Sequence, residues 1–556
     1  MKALHEVAQG LAESWLLVFA ILVTVTAVVL YVRSRKQILF ESWINMYDSK
    51  DTDTGRSVGD LLLFKIGFIK NVHERSAASI GNWNIYRDVP AFRQSLDEDV
   101  KLLASAELGK YGSFVTAVSM VLFRLLPMVF RPARLKGSIH KHGNRLQLLA
   151  TLDAASGSKW RNSSTCLWEV VQENSSDEQL PVAVEELAFR IYLDLTREEI
   201  FKSWECFQAY TAGLTNYLAY IDLQRDADYV KAKEAYTRAL TLEPNNPAIG
   251  YSLGVLEYYR WDAKGNAEAI GYFRGALASS QSILRAYAHS GLANALLQNY
   301  HRYNVHDPKL LEDAVYHAQR AVEIAPELDM SNRALGFACH QLSEYQAASP
   351  EASTRKLSAT NRGLAIKHYK RSYKLNNKNF PAHNNLANLY LEWAKRDRKG
   401  NPRLAEHNLH EAIRECEATL AINPQYHMAY DNLGNAYYEL RQFEKAADAF
   451  KNALRYKPDY PEGINDLAAL LLEPGFDGQN VSEALRYHYE ALELLPELEQ
   501  VNQRNKLCAL FSDRWGRLPP KEAATALGSS VGKTPPEIQC TCSALLAAAS
   551  GKAVAG

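Results

Sequence analysis

The sequence predicts a mainly helical protein, in which a solenoid of repeated helix pairs follows a small α/β domain and a single transmembrane helix. Three features predict this order: an apolar run near the amino terminus, alternating apolar and polar residues after it, and an internal repeat from about residue 201 onward. The 556 residues are too many for one hydrophobic core, so several domains are expected. The 63 basic residues balance 63 acidic ones, so the chain has no net positive charge. Its composition therefore does not predict a nucleic-acid partner.

The first predicted element is a membrane anchor in residues 11–32. Residues 15–32 carry no charge, and the whole run is long enough to cross a hydrocarbon layer of ~30 Å. A cleaved signal peptide is the alternative, but Glu6 and Glu13 precede the uncharged run 15–32 and no A-x-A site follows it. Three basic residues at 33–36 place the amino terminus outside and the bulk of the chain in the cytoplasm by the positive-inside rule. The odd number of cysteines, 7, also indicates a reducing compartment.

Residues 37–57 are predicted to be a juxtamembrane helix and linker, and residues 58–174 a small α/β domain. Residues 60–74 show a helical apolar stripe, and residues 100–106 could be a short strand. Residues 113–130 are apolar enough for a second membrane helix, but Arg124 and Pro127 favour a buried or interfacial one. Residues 133–140 and 145–153 alternate around a turn, which predicts a β-hairpin, and residues 166–172 are a third strand.

This hairpin resembles that of the TolB-type amino-terminal α/β domain. The matching positions are Gly137, Ser138, Gly143, Leu152, Asp153, Gly157 and Trp160. The resemblance implies an accessory domain and transfers no catalytic residue. Residues 175–200 then form a linker with an amphipathic helix at 182–196 that leads into the repeats.

The repeat is clearest in residues 426–458. Its first predicted helix carries Tyr430, Leu433, Gly434 and Tyr437, and its second carries Ala446, Phe450 and Ala453 before Pro458. The pattern resembles the tetratricopeptide repeat, with Tyr430 in place of its tryptophan. The resemblance implies a right-handed tetratricopeptide-repeat helical solenoid of about seven units in residues 201–498. A capping helix at 499–518 and a disordered tail at 519–556 follow.

The units differ in length along the array. The landmarks Pro424 and Pro458 are one period of 34 residues apart, but earlier landmarks are spaced more widely. This predicts longer loops at 261–266, 300–308, 346–361 and 395–402.

The same resemblance implies a binding surface, because the first helix of each unit lines the concave face in this family. The predicted partner-binding residues are Asn385, Asn388, Leu391, Glu392, Asn432, Asn435, Tyr438 and Glu439. Carboxamides both donate and accept hydrogen bonds, so a column of asparagines could hold the backbone of an extended peptide. Leu391 and Tyr438 would add anchors. The alternative is that the asparagines only hydrate the groove.

No motif predicts catalysis, a cofactor or a metal. The GSSVGKT run at 528–534 has three residues between its glycines where a phosphate loop needs four, and two prolines follow it. His140 and His142 have no third ligand nearby, and Cys540 and Cys542 form a lone C-x-C pair.

The first functional hypothesis is therefore a membrane-anchored cytoplasmic scaffold that binds a protein or extended peptide. The alternatives are a small-ligand sensor, in which the α/β domain binds the ligand, and an enzyme with its active site in that domain. The sequence does not determine the oligomeric state.

Overall fold

The computed structural model describes residues 37–40, 43–46, 52–80, 91–93, 133–153, 167–173, 179–196, 200–223, 225–302, 307–473 and 475–494. The predicted anchor at 11–32, the segments 100–106 and 113–130, the capping helix and the tail lie outside these residues. No helix in the described ranges is long and apolar enough to cross a membrane. The chain divides into two compact units, and the boundary between them in the sequence lies between Ile249 and Gly250.

The first unit contains a mixed β-sheet. Its strands are β1 (Gln37–Phe40), β2 (Ile44–Asn45), β3 (Ala91–Arg93), β4 (Ala133–His142), β5 (Arg145–Asp153) and β6 (Leu167–Gln172). The strand order is β3-β1-β4-β5-β6, and β2 also pairs with β4. The hairpin β4–β5 and the third strand β6 confirm the prediction, and Gly143 adopts a left-handed φ of 59° in the turn.

The prediction of a juxtamembrane helix and linker at residues 37–57 is wrong. Strand β1 runs parallel to both β3 and β4, with Ile38 opposite Ala133 and no exposed surface on the Ile38 side chain. Trp43 is 3% exposed and covers β4. A Cβ atom on Gly137 would lie 2.2 Å from the Trp43 ring, so only glycine fits at that position. These residues are extended because the sheet buries their apolar side chains. The strands with which β1 pairs are distant in the sequence.

Three helices form the core beside the sheet. They are α1 (Thr52–Ile80), α2 (Gln179–Thr196) and α3 (Trp204–Leu223), so the amphipathic helices predicted at 60–74 and 182–196 are confirmed. Helix α2 packs on α1, α3 and β6. His73 on α1 is 3% exposed, and its ring stacks on Tyr192 of α2 at 6.0 Å and on Phe207 of α3 at 5.4 Å. The helix predicted to be a linker is therefore part of a core that the sheet and the first repeat share.

The remaining helices complete seven consecutive helix pairs, counted over the described residues and beginning with α3. They are α4 (Asp226–Leu242), α5 (Pro247–Tyr258), α6 (Ala263–Ala276), α7 (Ser282–Arg302), α8 (Pro308–Ile324), α9 (Asp329–Ala348), α10 (Ala352–Leu375), α11 (Phe380–Asp397), α12 (Pro402–Ile422), α13 (His427–Glu439), α14 (Phe443–Tyr456), α15 (Pro461–Leu470) and α16 (Val481–Glu493).

A glycine on the first helix of a pair lies under an aromatic ring of the second helix. A Cβ atom on Gly434 would lie 2.6 Å from the Phe450 ring, and Gly336 faces Tyr369 in the same way at 2.7 Å. Phe450 is 1% exposed and packs beside Ala446. The crossing predicted at Gly434 is confirmed, because the two helices approach too closely for any larger residue.

The predicted long loop at 346–361 is wrong. Helix α9 continues to Ala348 and α10 begins at Ala352, so the additional residues lengthen the helices. Helix α10 has 24 residues, whereas the second helix α14 of the regular unit has 14. Likewise, α11 extends to Asp397 and α12 starts at Pro402, which leaves only a short turn between them. Helix α10 contains no proline, and its many alanine, lysine and arginine residues favour helix.

Candidate functional site: the inner face of the array

The first helices of successive pairs lie against one another in the second unit. Helix α7 contacts α9, α9 contacts α11, α11 contacts α13, and α13 contacts α15. In the described residues, the second helices of successive pairs make fewer contacts with one another. We call the side formed by α9, α11, α13 and α15 the inner face.

Two of the four predicted asparagines are already hydrogen-bonded to neighbouring helices. Asn432 is 7% exposed, and its Nδ2 donates to Asn384 Oδ1 at 3.0 Å. Asn435 Nδ2 donates to Asp466 Oδ2 at 2.6 Å. These bonds join α11 to α13 and α13 to α15. Their amides hold adjacent repeats together, and their predicted role in binding a peptide stays a prediction.

The other two asparagines are available. Asn385 and Asn388 on α11 are half-buried, and neither side chain hydrogen-bonds to any part of the chain that the structure describes. They are three residues apart, and Glu392 and Lys395 follow at intervals of four and three, so all four lie on one stripe of the helix. This stripe places two free carboxamides directly beside charged groups.

The predicted apolar anchors lie deeper than expected. Leu391 is 2% exposed, so it is a core residue, and its predicted role as a surface anchor is wrong. Tyr438 is half-buried, packs on Phe443 with ring centroids 5.8 Å apart, and donates its hydroxyl to the Glu473 carboxylate. Leu391 lies on the side of α11 that packs against neighbouring helices. The spacing of residues in the sequence does not distinguish that side from the exposed stripe.

Charged side chains form a cluster on the inner face. Lys395 Nζ lies 3.3 Å from Glu392 Oε1, and Arg398 Nη1 lies 2.5 Å from Glu439 Oε2. Burial alone would lower the pKa of Lys395, but the carboxylates of Glu392, Asp466 and Glu439 outweigh it and raise that pKa. Lys395 is therefore a cation held among acidic groups. The sequence predicts a loop that begins at Lys395, whereas the structure places this residue on α11. Its acidic neighbours Glu392, Glu439 and Asp466 come from three different helices.

Asp431 was not predicted as a site residue. It is 7% exposed, its Oδ2 accepts a hydrogen bond from the Tyr460 hydroxyl at 3.3 Å, and its Oδ1 has no partner. Burial and the nearby Asp466 carboxylate raise the pKa of Asp431 well above its usual range. The raised pKa favours the protonated carboxyl, which can donate a hydrogen bond as well as accept one.

The described residues contain no group of three or more side chains placed to hold a metal ion. His140 and His142 stack on the hairpin with ring centroids 6.3 Å apart, and His140 Nε2 lies 2.9 Å from Ser138 Oγ.

Comparison with known proteins identifies the repeat. Residues 427–460 match the family model described as the tetratricopeptide repeat. Human tetratricopeptide repeat protein 6 is 40% identical over 48 residues, and this match spans 9% of each of the two chains.

Solved tetratricopeptide-repeat structures also match. One from Thermus thermophilus is 15% identical, covers 44% of this chain and 99% of its own, and has a TM-score of 0.31. Another, from Parabacteroides merdae, is 15% identical, covers 55% of this chain and 99% of its own, and has a TM-score of 0.36. Residues 427–460 are therefore similar to a tetratricopeptide repeat, and the described chain around them is a mainly helical array of helix pairs.

Proposed function

We propose that this protein is a membrane-anchored scaffold that captures a protein or extended peptide on its inner face. Residues 11–32 would span the membrane once, with the amino terminus outside and the repeats in the cytoplasm. The uncharged run and the basic residues after it support this topology. Anchoring would concentrate the partner at the membrane, so that modest groove affinity suffices. The proposal assigns the chain no catalytic role and no cofactor.

The stripe on α11 is the observation that carries the proposal. Asn385 and Asn388 offer unengaged donors and acceptors, and Glu392 and Lys395 next to them are 41% and 37% exposed. An extended backbone could exchange hydrogen bonds with both carboxamides while its basic side chains contact the acidic groups. Two such bonds at ~1 kcal/mol each would contribute ~2 kcal/mol, which corresponds to about a 30-fold change in affinity.

The test replaces the two free asparagines and leaves the two structural ones intact. The full chain, the Asn385→Ala/Asn388→Ala variant and a control would be used to capture partners from gently solubilised membranes, followed by quantitative mass spectrometry. Asn452→Ala is a matched control, because Asn452 is half-buried on the second helix α14 and makes no side-chain hydrogen bond within the described residues. We expect a partner that the control retains and the double variant loses. Identical partners for all three proteins would reject the inner face as the binding surface.

Membrane anchoring needs its own experiment. We expect the full chain to stay in the membrane fraction after alkaline carbonate washing, and a chain without residues 1–36 to be released. Recovery of the full chain in the washed supernatant would contradict the anchor. No feature of the described residues in the first unit favours the small-ligand sensor or the enzyme over the scaffold.

A further inference from the structure

A second groove lies between the second helices α8 and α10, beside the start of α9. Its volume is about 540 Å³. Val322 at the end of α8 and Pro326 in the following turn line it with apolar atoms, and α10 forms a cationic wall. We call this concavity the outer groove. No prediction from the sequence pointed to it.

Helix α10 is strongly basic although the whole chain is neutral. Its 24 residues include seven lysines and arginines and neither aspartate nor glutamate. Four of these cations line the groove, and their positions in the sequence are 367, 370, 371 and 374. They lie within eight consecutive residues at spacings that keep all four on one face of the helix, where they repel one another. Such repulsion is relieved when an anion binds between them.

One cation of the groove already binds a carboxylate. Arg371 Nη2 lies 2.6 Å from Glu327 Oε1 at the rim. Lys367, Lys370 and Lys374 form no ion pair with any residue that the structure describes. The groove therefore contains three lysines without an ion-pair partner among the described residues, next to an arginine that already binds a carboxylate.

A histidine in the wall can recognise a backbone. Asn332 Nδ2 donates to the Pro326 and Leu328 carbonyls, so its Oδ1 accepts from His368 Nδ1 at 3.1 Å. Burial, with a smaller effect from Lys367, lowers the pKa of His368, which keeps its ring neutral at pH 7. In that tautomer Nε2 is an acceptor, and it makes no bond within the described residues. It can accept a hydrogen bond from a peptide N–H.

The shape of the groove selects among polyanions. The cations from Lys367 to Lys374 span seven residues of helix, about 10 Å, which is the length of about three residues of extended chain. A planar membrane cannot reach the apolar floor of a concavity. Single-stranded nucleic acid binds best where aromatic rings stack on its bases, and the lining contains no phenylalanine, tyrosine or tryptophan.

We propose that the outer groove binds an acidic peptide segment of a partner protein. Its carboxylates would pair with Lys367, Lys370 and Lys374, and an apolar side chain between them would contact Val322 and Pro326. This site is separate from the inner face, so one scaffold could hold two partners at once.

The experiment measures binding of a short fluorescein-labelled peptide of repeated Glu-Leu-Glu units to the detergent-solubilised full chain by fluorescence anisotropy. The variant Lys370→Glu/Lys374→Glu reverses two groove charges. Lys356→Glu/Lys399→Glu is the matched control, because both lysines are exposed, lie outside the groove lining and change the net charge equally. Circular dichroism would verify that both variants keep their helix content.

We expect the groove variant to weaken peptide binding at least about tenfold and the control to change it less than about twofold. Added salt should weaken binding to the wild-type chain. The proposal fails if the wild-type chain does not bind the peptide, or if both variants weaken binding equally. It also fails if single-stranded DNA or phosphatidylserine vesicles bind more tightly than the peptide and lose that binding in the groove variant. If the groove variant still captures the partner of the inner face, then its loss of peptide binding does not bear on the scaffold proposal.

Discussion

Replacing Gly434 tests the close helix crossing in the regular repeat. An added Cβ atom would lie 2.6 Å from both Cδ1 and Cε1 of Phe450, whereas ordinary contacts are about 1 Å longer. Phe450 is 1% exposed and surrounded by core residues, so its ring cannot move away freely. Overpacking costs ~1–3 kcal/mol, and alanine regains ~1 kcal/mol of helix propensity over glycine. We therefore expect Gly434→Ala to destabilise the repeat by ~1 kcal/mol and Gly434→Leu by ~3 kcal/mol or more.

Native-state hydrogen exchange is the suitable assay, because the chain has several units and does not unfold as one. A loss of ~3 kcal/mol corresponds to roughly hundredfold faster exchange of the amides in α13 and α14. Gly363→Ala is the control, since Gly363 is exposed in α10 and an added Cβ atom would meet nothing within 4 Å. That variant should gain ~0.5–1 kcal/mol. Unchanged protection of α13 and α14 in Gly434→Leu would refute the reasoning.

Three further predictions follow from buried contacts. Gly137→Ala should unfold the sheet, since its Cβ atom would lie 2.2 Å from the Trp43 ring; native circular dichroism and exchange in β4 would contradict this. Asn432→Ala should cost ~1–2 kcal/mol in urea unfolding by leaving Asn384 without its donor, whereas Asn388→Ala should cost far less. Burial lowers the pKa of His340 from 6.5 to about 4, so the unfolded chain binds the proton first as pH falls. This proton uptake by His340 should remove ~2 kcal/mol of stability between pH 7 and 5, so His340→Leu should lose less stability than the wild-type chain over that range; an equal loss would exclude this residue as a cause.

The repeat could be predicted because its determinants are local. Gly434, Phe450 and Pro458 lie within one unit, and each has a fixed role in the packing of that unit. The sheet was predicted only in part. The hairpin is a local contact, but β1 pairs with strands that begin at Ala91 and Ala133, and nothing in the short run around Ile38 indicates those partners.

The inner face shows the same division between local and distant contacts. The sequence placed Asn432 and Asn435 on a first helix, which is where they are. Their hydrogen bonds reach residues 48 and 31 positions away, so their engagement depends on the distance between neighbouring pairs. The repeat period predicts a loop for the extra residues of α10, because a period gives the number of residues in a unit and not whether they are helical.

The packing of His73 between Tyr192 and Phe207 has a consequence for dissecting the protein. A boundary drawn at residue 174 or 200 would separate residues that share one core, and each piece would expose aromatic side chains to water. Fragments cut there would aggregate, and proteolysis of the intact chain should not release the sheet as a folded piece. Helices α1, α2 and α3 should instead lose hydrogen-exchange protection together with the sheet, at one denaturant concentration.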